Sequence, residues 1–65
     1  MKTYYFKEDL GGGKFAYCTM YYYDAAVDPT KQAEVDIFMT MMTVTHGYIE
    51  ITQSEFNSNV TLAEG

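Results

Sequence analysis

The chain has 65 residues, a net charge of −5 and one cysteine, and 48% of it is apolar. That length allows one small domain over residues 1–65, and a single cysteine excludes an internal disulfide and a thiolate zinc site. No apolar run approaches the length of a membrane span, and five surplus acids disfavour direct nucleic-acid binding.

Strand signals open the chain. Residues 2–8 carry Tyr4, Tyr5 and Phe6 in a row, with no apolar signal-peptide core before Lys7. Leu10, Gly11, Gly12 and Gly13 then break the segment, since glycine enters positive φ without steric cost. Residues 14–23 carry aromatic and β-branched residues along their length, a second strand. A glycine-rich loop of four or five residues between the two predicts a hairpin.

Asp28 and Pro29 open a helix, with aspartate as N-cap and proline at the first helical position. Beyond them the pattern is ambiguous. Val35, Phe38, Met39 and Met42 match helical spacing, whereas Val35, Ile37, Met39 and Met41 match strand alternation. Six of the eleven residues from 35 to 45 are β-branched, which favours a strand. The expectation is one helical turn near 29–33 and then a long strand, with a helix over about 29–42 as the alternative. His46 and Gly47 then suggest a hairpin turn into an alternating strand at 48–52. The tail, 54–59, is polar and turn-like around Phe56, and residues 60–62 offer a short last strand. The predicted class is therefore mainly β: a small antiparallel meander or rolled sheet of four to five strands.

The segment 35–45 is apolar on both faces, and such a segment needs cover on two sides. A chain of this size has little to spare for a second layer, so a homo-oligomer is expected. Docking on the sheet or against a neighbouring subunit would hold the tail.

Charge is uneven. Residues 1–23 hold three lysines against two acids, net +1, and six of the seven tyrosines. Residues 24–65 hold Lys31 against seven acids, net −6. Alternation along 14–23 places Phe15, Tyr17, Thr19, Tyr21 and Tyr23 on one face and Ala16, Cys18, Met20 and Tyr22 on the other. The second, drier set suits a core. The first is amphipathic, and Gly12, Gly13 and Lys14 beside it resemble an anion-binding concavity. Tyrosine rings stack on bases, so Gly12, Gly13, Lys14, Tyr17, Tyr21 and Tyr23 form a candidate site for a nucleotide-like ligand. It is not a P-loop, since the first glycine and the Ser/Thr after lysine are missing.

Cys18 and His46 are the only conventional nucleophile and imidazole, and nothing in the sequence brings them together. Cys18 reads as a small core residue and His46 as a turn residue. Asp24, Asp28 and Asp36 lack metal-ligand spacing. No enzyme, metal or cofactor is expected.

Two functions fit. One is a stoichiometric binder that sequesters a small anionic aromatic ligand between subunits of an oligomer. The other is an acidic inhibitor that occludes a nucleic-acid-handling protein by imitating phosphates. Small acidic chains without a catalytic constellation suit phage counter-defence, which places the expected location in the (host) cytoplasm.

Overall fold

The computed structural model describes the backbone of residues 1–64 and the side chains of residues 1–60. It is an α+β fold: a three-stranded antiparallel sheet with two helices. The strands are β1 (Lys2–Gly11), β2 (Lys14–Tyr22) and β3 (Ile49–Ile51), and the helices are α1 (Gln32–Thr40) and α2 (Gln53–Glu64). The spatial order is β2-β1-β3.

The hairpin forms as expected, with Phe6 opposite Cys18 and Lys2 opposite Tyr22. Its connection is shorter than four or five residues. Gly12 and Gly13 alone make the turn, at φ 63° and 76°, as the tight two-residue turns that follow strand twist demand. A register shift between Asp9 and Gly11, with Gly11 at φ 86°, brings the strands into that turn.

The strand expected at 35–45 is a helix. Asp28 caps a 3₁₀ turn at Pro29–Lys31, accepting hydrogen bonds from the Thr30 amide (3.2 Å) and hydroxyl (2.6 Å). α1 follows directly, so the alternative of a helix over about 29–42 is the one realised. Burial overrides local preference here. Val35, Phe38 and Met42 fall at helical spacing on one side and enter the core with Tyr4 and Phe6. Phe38 is its centre, stacked on Tyr22 at 4.5 Å and meeting Tyr4 and Phe6 edge-on at 5.3 and 6.1 Å. The β-branched run still leaves a mark. Met41–Thr45 widens into a π turn, with His46 N–H donating to the Met41 carbonyl at 3.0 Å. The Thr43 hydroxyl bonds back to the Met39 carbonyl at 2.8 Å, a habit that loosens helices.

Gly47, at φ 72°, ends this helical segment instead of turning a hairpin. β3 therefore pairs with β1, Tyr5 opposite Ile51 and Lys7 opposite Ile49. The meander is replaced by a crossover through α1.

The tail is helical as well. In place of a turn at 54–59 and a strand at 60–62, α2 starts from Thr52, whose hydroxyl accepts from the Glu55 amide at 3.1 Å. The side chains of Thr61 and Leu62 lie outside the described residues. α2 docks on the sheet face opposite α1. Phe56 sits 5.2 Å from Tyr5 and 6.4 Å from Tyr17 between ring centroids, and Lys7 pairs with Glu55 at 2.9 Å.

The layers are thin. The radius of gyration is 13.0 Å, against about 11 Å for a compact chain of this length. Only Tyr4, Phe6, Val35, Phe38 and Met42 are buried among the described apolar residues, and Phe6 alone is fully withdrawn from solvent. Among the described residues, no helix is long and apolar enough to cross a membrane.

Candidate functional site

The six residues proposed for a ligand site are distributed along the hairpin. Gly12, Gly13 and Lys14 lie at its exposed tip. Tyr21 pairs with Thr3 at the opposite end of β2. Seven strand steps separate Lys14 from Tyr21, about 23 Å. Tyr17 and Tyr21 share a face, as alternation requires, but Tyr17 is half-buried against Phe56. Tyr21 keeps 67% of its surface exposed. Tyr23 lies beyond the strand, where its carbonyl accepts from the Tyr4 hydroxyl at 2.7 Å and its ring receives the Lys31 ammonium at 4.7 Å. Within one protomer these groups are not brought together.

The glycine turn is also electrostatically mixed. The Gly11 amide donates to the Asp9 carboxylate at 2.8 Å, so one of the amides available for an anion already holds a negative charge beside Lys14.

Cys18 packs half-buried against the core, and its thiol is pushed up by burial and, less, by Glu8. That favours the unreactive protonated form. His46 follows the π turn, 6.3 Å from the Tyr48 ring. Among the described residues no three His, Cys, Asp or Glu side chains converge as metal ligands.

Two concavities are open to solvent. A slot of about 490 Å³ lies between residues 2–5 and 50–53, where β1 runs on past the end of β3. A groove of about 390 Å³ runs along the outer side of α1, lined by Asp36, Ile37, Thr40, Met41 and Thr45. The second is the more informative. Ile37, Met41 and Val44 project away from the sheet, exposed by 64%, 47% and 76%. Ile37 and Met41 stand one turn apart at i and i+4, and Val44 follows in the π turn that continues α1, all three away from buried Val35, Phe38 and Met42. Beside them Gln32 donates to the Asp36 carboxylate at 2.8 Å, and Glu34 is exposed one residue pair earlier.

Strand alternation divides this line, placing Ile37 and Met41 on one face and Val44 on the other. Helical spacing from the Asp28–Pro29 cap reunites them. No protein-family model, curated protein or solved structure matches this chain.

Proposed function

We propose that this chain is a non-enzymatic, stoichiometric binding protein whose working surface is the outer face of α1. Its partner is a nucleic-acid-handling protein with a cleft that is apolar at the centre and basic at the rim. The carrying observation is the exposed line of Ile37, Met41 and Val44 on a helix whose other side already fills the core. A helix apolar on two opposite sides has one side too many for a single small domain. Burying such side chains contributes roughly 1.5–3 kcal/mol each. Asp36 and Glu34 beside the line, within a segment of net charge −6, supply steering and selectivity for a basic rim.

Purified nucleases and single-strand-binding proteins with basic grooves provide the test. Equimolar protein should displace a fluorescent oligonucleotide from a susceptible member, and Ile37→Lys with Val44→Lys should weaken displacement at least about tenfold, the factor that 1.4 kcal/mol of lost burial gives. Undiminished displacement by the double variant would refute the role of α1. If a nucleotide panel raised the melting temperature and no enzyme lost its oligonucleotide, capture of a small anionic aromatic ligand would be the better reading.

A further inference from the structure

The outer edge of β2 is a second unpartnered feature, independent of α1. β2 is an edge strand, because the sheet order ends with it. Edge strands are ordinarily blunted by shortness, charge, proline or a bulge. β3, the other edge, is three residues long. β2 is nine, and residues 15–22 contain no charge and no proline. The hairpin's register shift is confined to the turn end of β1, between Asp9 and Gly11, so β2 itself carries no bulge. Met20 and Tyr21 are exposed by 41% and 67% along it.

We infer that two copies of this chain pair edge to edge through β2, antiparallel about a two-fold axis, giving a continuous six-stranded sheet. Symmetry narrows the register. An isologous pairing passes its axis through one residue that faces itself, and side chains directly opposed across an antiparallel pair share a face. Centring on Cys18, the midpoint of Lys14–Tyr22, pairs the full strand, a ladder about 30 Å long. That register sets Phe15 opposite the partner's Tyr21, an aromatic pair. Ala16 then faces the partner's Met20, and Lys14 faces the partner's Tyr22. No like charges oppose one another. The hairpin half of the chain carries only +1 while the remainder carries −6, so the contact joins the nearly neutral halves and keeps the acidic halves apart.

Both copies keep their faces in this arrangement: both α1 helices cover one side of the sheet and both α2 helices the other. The outer face of α1 stays free and is duplicated. The Gly12–Lys14 tip of one copy also comes beside Tyr21 and Tyr22 of the partner subunit, joining across the axis groups that a single protomer holds apart.

Light scattering should report about twice 7.4 kDa. Thr19→Lys places two lysines on diagonal positions across the axis, whose backbones lie roughly 7–8 Å apart. It should weaken dimerisation several-fold with the circular dichroism unchanged, because the pairing brings two like charges together on neighbouring positions of one ladder face. With Cys18→Ala as background, the Ala16→Cys, Met20→Cys double variant should form a covalent dimer under mild oxidation. Residues 16 and 20 are too far apart on one strand to bridge within a chain. A monomeric wild type overturns the proposal. So does a dimer that survives Thr19→Lys, that fails to cross-link through 16 and 20, or that Ile37→Lys dissociates, since the contact then lies elsewhere.

Discussion

Asp28 shows how one side chain commits the chain to a helix. Its carboxylate is held below its ordinary value of 3.8, first by the Thr30 hydroxyl and then by the Thr30 amide and Lys31. A carboxyl with a lower value folded than unfolded stabilises the fold fully above the unfolded value and loses that contribution as pH falls through the folded one. Asp28→Ala should therefore lower the thermal midpoint at neutral pH, and the gap to wild type should close in acid well below 3.8. A gap that persisted there would show that the side chain acts through something other than its charge. Lys7 runs the opposite way. The Glu55 hydrogen bond raises its value above 10.5, so its contribution is complete below that pH and declines only in stronger alkali. At this scale the sequence is legible. Alternation separates Cys18 and Tyr22 from Tyr17 and Tyr21 correctly, because a two-residue period is a property of the strand and needs no knowledge of its neighbours.

Elements are harder to read, and segment 35–45 explains why. β-branched residues cost a helix only a few tenths of a kcal/mol each, whereas burying Phe38 or Met42 contributes roughly 1.5–3 kcal/mol. The larger quantity depends on whether a sheet face waits at the right distance, which local composition cannot report. α2 is different, since its signal was present. Thr52-Gln53-Ser54-Glu55 has the spacing of a capping box, and the Glu55 amide makes the expected bond to Thr52. The Glu55 side chain turns instead to Lys7, so one residue begins the helix and ties it to β1. Phe56 supplies the apolar half of that attachment. Phe56→Ala should cost about 2 kcal/mol in urea unfolding, less than a fully buried phenylalanine because the site is only half-buried. It should also reduce helical circular dichroism as α2 loses its hold. A cost under about 0.5 kcal/mol, the range of ordinary surface changes, would mean that α2 is not anchored there.

For the whole molecule, the excess of apolar surface was legible and its location was not. Two-sided hydrophobicity over 35–45 holds for strand and helix alike. Where the second side points depends on β3 pairing with β1 across an intervening helix, a long-range event with no local signature. The tyrosines and the Gly12–Lys14 turn likewise share one hairpin but occupy its two ends, a separation set by strand length. The brevity of β3 has a consequence for how the molecule opens. Within one protomer, among the described residues, only Tyr5, Phe6 and Lys7 have strands on both sides, while the hairpin beyond them extends as a two-stranded arm to Gly12 and Gly13. Amide deuterium exchange along β1 should be graded accordingly: slowest at residues 5–7, faster toward the turn at 8–11, each amide reporting the free energy of its own local opening. Tip amides that outlasted Phe6 would make the hairpin the last part to open and the three-stranded centre a later, weaker addition.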